Sequence, residues 1–163
     1  MGFLLGSVHI VDGDAVDMEP GLWGRLSVEE VWSRYFDELR ALAGSGLADV
    51  LAHPDLVKLY GLRPRAEEVA SHHETAVAAI EASGIAVEVS TAGLRRPVGE
   101  LYPSPDFLER CRARGVAVTT ASDAHHPGDV GRDLDRALDL LRETGYETVT
   151  VYEGRRARQE PLG

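Results

Sequence analysis

Histidine and aspartate side chains stand at or just beyond the ends of short apolar runs in this sequence. Imidazole nitrogens and carboxylate oxygens together suit zinc, manganese or iron better than they suit magnesium or calcium alone. Four residues share this position: His9, His53, Asp123 and His125. They indicate a divalent-metal site, provided that the fold brings the ends of the runs to one place.

The spacing of the last two residues supports a shared site. Residues two apart in an extended segment project to the same side, so Asp123 and His125 can share a metal or serve adjacent ones. His126 would point the other way, and we expect it at the rim or on the surface. His72 and His73 lie in a predicted helix but are adjacent rather than four apart, so we interpret them as surface and helix-packing residues.

A pair of arginines follows the third apolar run. Arg95 and Arg96 could hold a phosphate group by bidentate hydrogen bonds, although a solvated charge is the ordinary alternative. The surrounding glycines do not form the Gly-x-Gly-x-x-Gly pattern of a phosphate loop. Ser122 lacks the Gly-x-Ser-x-Gly setting of a nucleophilic serine. Cys111 lies on the apolar face of a predicted helix, which is typical of a core residue.

The elements that must position these residues alternate along the chain. Five short apolar runs read as strands, at residues 3–11, 47–52, 85–89, 116–121 and 148–151. Amphipathic helical patterns separate them, which predicts an α/β fold with five parallel strands. In such folds ligands collect at the carboxyl ends of the strands. The pattern leaves open a doubly wound sheet or a barrel, and an eight-stranded barrel needs about 250 residues, so only part of one would fit.

Composition limits the classes of function. The chain has 163 residues, 44% of them hydrophobic, enough for one domain with a core. A net charge of −10 argues against nucleic acid as a partner but not against a small phosphorylated substrate beside bound cations. A single cysteine excludes an internal disulfide and fits the cytoplasm. The apolar start is too short to span a membrane and lacks a basic leader.

Four segments resemble the histidinol-phosphatases of the polymerase-and-histidinol-phosphatase (PHP) superfamily. They are Gly-Ser-Val-His at 6–9, Asp-Val-Leu-Ala-His-Pro-Asp-Leu at 49–56, Glu-Val-Ser-Thr-Ala-Gly-Leu-Arg-Arg-Pro-Val-Gly-Glu-Leu-Tyr-Pro-Ser at 88–104, and Ser-Asp-Ala-His at 122–125. The resemblance implies a distorted seven-stranded β/α barrel with two or three metal ions. It further implies that residues 1–163 form the C-terminal part of a single barrel domain, with the N-terminal strands absent.

The resemblance also implies roles for individual residues. His9, His53, Asp123 and His125 match metal ligands, and Asp123 and His125 are the expected catalytic residues. Arg95 falls where this branch places an arginine that faces the substrate phosphate. The family's His-x-His motif and its ligand glutamate do not precede His9, and His126 stands where the family frequently has an arginine.

The expected activity is hydrolysis of a phosphate monoester, L-histidinol phosphate to L-histidinol and phosphate, in histidine biosynthesis. Two alternatives stay open: a PHP phosphodiesterase or nucleotide phosphatase with the same metals, and a catalytically inactive fragment or interaction module. Because five strands cannot close such a barrel, we expect the isolated chain to self-associate or to pair with the missing N-terminal part.

Overall fold

The computed structural model describes residues 2–18 and 21–162. The strands are β1 (Leu5–Gly6), β2 (Ile10–Val11), β3 (Asp14–Ala15), β4 (Val50–Leu51), β5 (Ala86–Ser90), β6 (Val118–Ala121), β7 (Thr148–Glu153) and β8 (Arg156–Pro161). The α-helices are α1 (Val28–Gly44), α2 (Ala66–Ser83), α3 (Pro105–Ala113) and α4 (Leu134–Glu143).

A four-stranded parallel sheet forms the centre of the fold. Its order is β1-β4-β5-β6, so neighbouring strands follow one another along the chain without a reversal. Helices α1, α2 and α3 lie in the connections between these strands. The predicted α/β class is therefore confirmed, and the carboxyl ends of all four strands meet at one edge.

The first predicted strand is wrong in its extent. Only β1 joins the parallel sheet, and β2 turns back to pair antiparallel with β3. Asp12 and Gly13, between them, have φ of 51° and 83°. Positive φ at both central residues is the requirement of a type I′ hairpin turn, for which Asp-Gly is a favoured sequence. The apolar run at residues 3–11 covers both β1 and β2, so the sequence does not reveal that the strand is interrupted between them.

The fifth predicted strand exists but does not pair with the parallel sheet. β7 pairs antiparallel with β8 in a separate two-stranded sheet, so the parallel sheet has four strands rather than five. Gly154, at the turn, has φ of 64°, as the first central residue of a type II′ hairpin must. Near its turn, the hairpin contacts the residues just before β1 and β4. The Tyr152 ring stacks on Phe3, and the Tyr152 hydroxyl donates to the Asp49 carbonyl oxygen at 3.2 Å.

Local signals explain where the helices begin and end. Ser27 and Glu30 form a reciprocal capping box at the start of α1. Gly84, with a left-handed φ of 71°, ends α2. Pro105 occupies the first turn of α3, where its missing N–H costs nothing. The main apolar cluster lies where α1 and α2 pack on the sheet, and a smaller one lies between α4, α3, β5 and β6. Within the two described ranges, no helix is long and apolar enough to cross a membrane.

Candidate metal centre at the carboxyl edge of the sheet

Two of the four predicted ligands stand side by side. His9 follows β1, and His53 follows β4 by two residues; their rings are 5.0 Å apart between centroids. His53 is only 5% exposed and its Nδ1 has no hydrogen-bond partner. His9 is half-exposed, with Nδ1 3.3 Å from Asp17 Oδ2. An unpartnered nitrogen on a buried imidazole, facing a second imidazole, is the arrangement that a metal ion would satisfy.

Electrostatics at His53 keep the ring suited to this role. Burial lowers the pKa of His53 below its ordinary value and the His9 ring lowers it further, although the carboxylates of Asp123 and Asp55 act in the opposite direction. A neutral ring retains the lone pair that binds metal. His53 and Asp123 also adopt positive φ values of 70° and 46°, a strained backbone that often marks functional positions.

The Asp-x-His pair lies beyond β6. The Asp123 carboxylate acts to raise the pKa of His53, against the larger lowering effect of burial, and β4 and β6 flank the same strand, β5. His125 is different, since its side chain is 72% exposed and its Nδ1 donates to the backbone carbonyl of Asp123 at 3.1 Å. In the described ranges, no three His, Cys, Asp or Glu side chains come together as a group that could hold an ion. The donor types fit a divalent metal, but the chain's own residues do not enclose one.

Arg95 lies beside Asp123 and His125 in a cavity of about 240 Å³. The other side chains that line it are Ala92, Arg96, His126 and Asp129. Arg95 Nη2 donates to the Ser122 carbonyl at 2.6 Å, and its Nε is 3.8 Å from Asp129 Oδ2. The arginine therefore links the loop after β5 to the loop after β6, and it stands where a phosphate beside Asp123 could reach its remaining N–H groups.

Glu88 is a buried carboxylate near Asp123 that the strand pattern did not single out. It lies in the middle of β5, is 3% exposed, and its Oε1 has no hydrogen-bond partner. Burial, with a smaller contribution from Asp123, raises the pKa of Glu88 to about 7. The sequence did contain a signal, since a carboxylate inside the run Ala-Val-Glu-Val-Ser needs a reason to be buried.

Comparisons with known proteins find relatives of one kind, although no family model matches the chain. The chain is 33% identical over 159 residues to a probable histidinol-phosphatase of Deinococcus radiodurans, covering 91% of this chain and 56% of that protein. It is 25% identical over 166 residues to a probable histidinol-phosphatase of Schizosaccharomyces pombe, covering 94% of this chain and 54% of that protein. The chain thus spans little more than half the length of these curated relatives.

Solved structures extend the likeness to the fold. Histidinol phosphate phosphatase from Lactococcus lactis, in complex with zinc, L-histidinol and phosphate, superposes with a TM-score of 0.78 at 17% identity, over 97% of this chain and 62% of that one. The fold of this chain is similar to the fold of that enzyme. A putative histidinol phosphatase from Listeria monocytogenes gives a TM-score of 0.71 at 20% identity, over 81% of this chain and 56% of that one.

Proposed function

We propose that the chain is part of a histidinol-phosphatase of the PHP superfamily, which hydrolyses L-histidinol phosphate to L-histidinol and phosphate. The observation that carries this proposal is that Arg95, Asp123 and His125 line one cavity. A guanidinium suited to phosphate and two groups suited to a metal ion therefore face the same space. Similarity to the Deinococcus radiodurans protein over 91% of the chain supports the choice of substrate.

Each residue has a proposed role at this edge. The proposed metal ligands are His9, His53, Asp123 and His125. In the complete site they would help to hold two or three divalent cations of zinc, manganese or iron. Bound cations supply Lewis acidity toward phosphoryl oxygens and lower the pKa of coordinated water. Asp123 and His125 would act at the reacting phosphate, and Arg95 would neutralise its non-bridging oxygens. The zinc in the Lactococcus lactis complex is consistent with this set.

The sheet is, in this proposal, the C-terminal part of a single PHP barrel domain that takes in residues 1–163. Strand order that follows chain order is what a barrel requires, because each crossover continues in the same direction. The incomplete ligand group fits the same view, since further ligands would come from the other strands. A cytoplasmic enzyme with a small phosphorylated substrate, and no nucleic acid or membrane partner, suits the charge of −10 and the buried Cys111.

Complementation tests the proposal. The chain would be purified alone and also co-expressed with the N-terminal part of the Deinococcus radiodurans relative, and each sample would be assayed for metal content and for phosphate release. We expect the chain alone to be near background. The co-expressed pair should release phosphate from L-histidinol phosphate faster than from a nucleotide monophosphate or a phosphodiester, and Asp123→Asn should abolish this release.

Two other results would favour the alternatives. Preference of the pair for a nucleotide or a diester would indicate a different PHP activity. A stable, metal-free and inactive pair would indicate an inactive fragment or interaction module. Asp37→Asn, on the exposed face of α1, is the matched control, because it also removes one negative charge but does not line the cavity.

A further inference from the structure

The carboxylate of Asp17 stands beside one ring nitrogen of His9. Asp17 Oδ2 lies 3.3 Å from His9 Nδ1, and the two side chains are 30% and 43% exposed, so the contact is partly shielded from water. A carboxylate can only accept hydrogen bonds, whereas an imidazole nitrogen can carry a hydrogen or a lone pair. The contact is therefore favourable when His9 has its hydrogen on Nδ1. Asp17 is not among the proposed metal ligands or the residues that line the cavity beside Asp123.

The β2–β3 hairpin brings Asp17 back to His9. Its two strands run antiparallel on either side of a tight turn. Just beyond the paired strands, Val16 N donates to the His9 carbonyl oxygen at 2.8 Å, so the residue after Val16 lies alongside His9. The contact between the carboxylate and the ring therefore follows from the pairing of the backbone.

Neighbouring segments hold this hairpin in place. Val16, the residue before Asp17, is 0% exposed, and its carbonyl oxygen accepts from Trp23 Nε1 at 2.8 Å. Both the N–H and the C=O of Val16 are thus bonded. Two ion pairs join the hairpin to α1 and to the segment before α1: Asp12 with Arg34, and Asp14 with Arg25. Asp17 is therefore attached to a fixed backbone, as a residue that orients a neighbouring side chain must be.

We propose that Asp17 is a positioning residue, which keeps the hydrogen of neutral His9 on Nδ1 so that Nε2 presents a lone pair for a metal ion. The two ring nitrogens are not equivalent, and the partner of one decides what the other can bind. Metal-binding histidines almost always have such a partner, and its loss typically lowers metal affinity by about 10- to 100-fold. Metal binding by His9 belongs to the proposed function, on which this role of Asp17 rests, whereas the position of the hydrogen can be measured without metal.

A metal ion between Asp17 and His9 Nδ1 is the alternative. That ion would lack a third His, Cys, Asp or Glu donor in the described ranges, because no group of three comes together there. A hydrogen on Nδ1 accounts for the contact with atoms that the two side chains already have. The two cases also differ in what they require of residue 17, since a zinc ligand depends on the charge of the carboxylate, whereas a hydrogen-bond partner needs only an accepting oxygen.

Nitrogen-15 solid-state NMR of the metal-free 163-residue chain tests the position of the hydrogen, and self-association does not prevent the measurement. Spectra at pH 8.5 in a chelator distinguish a ring nitrogen that carries a hydrogen from one that does not, and the signals missing in His9→Gln identify His9. We expect the hydrogen on Nδ1 in the wild type and on Nε2 in Asp17→Ala. Asp14→Ala, which removes a paired carboxylate from the same hairpin, should keep it on Nδ1. A wild-type hydrogen on Nε2, or one that stays on Nδ1 in Asp17→Ala, would overturn the proposal.

Zinc affinity of the co-expressed pair tests the consequence for the metal. In zinc-buffered dialysis, Asp17→Ala should bind zinc about 10- to 100-fold more weakly than the wild type, whereas Asp17→Asn, which keeps an accepting oxygen, should stay close to it. Asp14→Ala should match the wild type, which separates this effect from a loosened hairpin.

Equal losses in Asp17→Asn and Asp17→Ala would identify a directly coordinating carboxylate and overturn the positioning role, as would wild-type affinity in Asp17→Ala. A wild-type pair that binds no zinc would overturn the proposed function together with the metal-binding part of this role. A misplaced hydrogen in the spectra would overturn the role of Asp17 alone.

Discussion

At the scale of single residues, Arg95 combines a structural contact with a proposed chemical one. Its bond to the Ser122 carbonyl, with a longer one of 3.4 Å to the Thr91 carbonyl, holds the loops after β5 and β6 together. A guanidinium has five N–H groups, so some remain for a phosphate oxygen. A phosphate clamp and a solvated charge were the two interpretations open from the sequence, and the contacts to two carbonyls show that the side chain is not simply solvated.

Arg95→Ala should lower phosphate-ester turnover of the complemented enzyme by one to two orders of magnitude. Loss of a hydrogen bond to a charged group costs roughly 1.5–3 kcal/mol, which corresponds to that range. Metal content should not change, since Arg95 is not a ligand in the proposed set. Steady-state phosphate release and elemental analysis measure the two quantities, and wild-type kinetics in the variant would show that Arg95 has no part in turnover.

Glu88 should make stability depend on pH. Its pKa is raised from 4.5 to about 7 in the folded chain. Between these values the unfolded chain ionises while the folded chain keeps the proton, so the free energy of unfolding should fall as pH rises through this window and level off above pH 7. The change for this group is on the order of 3 kcal/mol at most.

Glu88→Gln should remove this contribution, because glutamine does not ionise. Urea unfolding at pH 5 and pH 8, in a chelator, compares the variant with the wild type. Glu109→Gln, on the exposed face of α3, should behave as wild type. If the wild type and Glu88→Gln lose stability equally between the two pH values, the proton on Glu88 is not coupled to folding.

At the scale of elements, the loop after β5 depends on one close approach. A Cβ at Gly93 would lie 2.1 Å from the Glu100 carbonyl oxygen, which is backbone and cannot turn away. Gly93 lies within residues 92–95, which form the short 3₁₀ turn that carries Arg95. The glycine is therefore needed because the chain passes close by, and not because of its own φ.

Gly93→Ala should destabilise the chain by about 1–3 kcal/mol, since the loop must move to relieve the overlap. Gly44→Ala is the matched control: it lies at the end of α1, nothing stands within 4 Å of its Cβ, and alanine is the better helix former. Chemical denaturation measures both. A neutral Gly93→Ala would mean that the loop is held less firmly than the structure indicates.

At the scale of the whole molecule, the free side of β1 is the feature that matters most. β1 pairs with β4 on one side, and with no strand on the other within the part of the chain that the structure describes. Leu4 and Leu5 are about half exposed there. An unpaired strand beside apolar side chains can template association with another strand. In a complete barrel the same edge would be covered.

The isolated chain should therefore self-associate, and Leu5→Lys should reduce this, because a charge on an edge strand opposes pairing. Val130→Lys adds the same charge at another exposed apolar position, outside the strands, and should not reduce it. Light scattering over a concentration series distinguishes them. A monomeric wild-type chain at every concentration would show that the edge of β1 is protected in some other way.

The sequence by itself determined the α/β class and the helices, because these depend on apolar periodicity and on local capping signals. It also indicated the residue types of the site, since histidine and aspartate follow the apolar runs that predict the strands. The sequence analysis did not predict either of the two hairpins, β2–β3 and β7–β8. Asp12-Gly13 and Gly154 are turn signals, but the apolar and polar runs around them allow either a continued strand or a reversal, and the pairing partner decides.

Tertiary structure alone decided which polar groups meet. It placed the His9 and His53 rings 5.0 Å apart between centroids and left His125 exposed. It also buried Glu88, and that burial, with a smaller contribution from Asp123, raises the pKa of Glu88. Burial and pairing are properties of packing between distant segments, and no local pattern in the sequence encodes them.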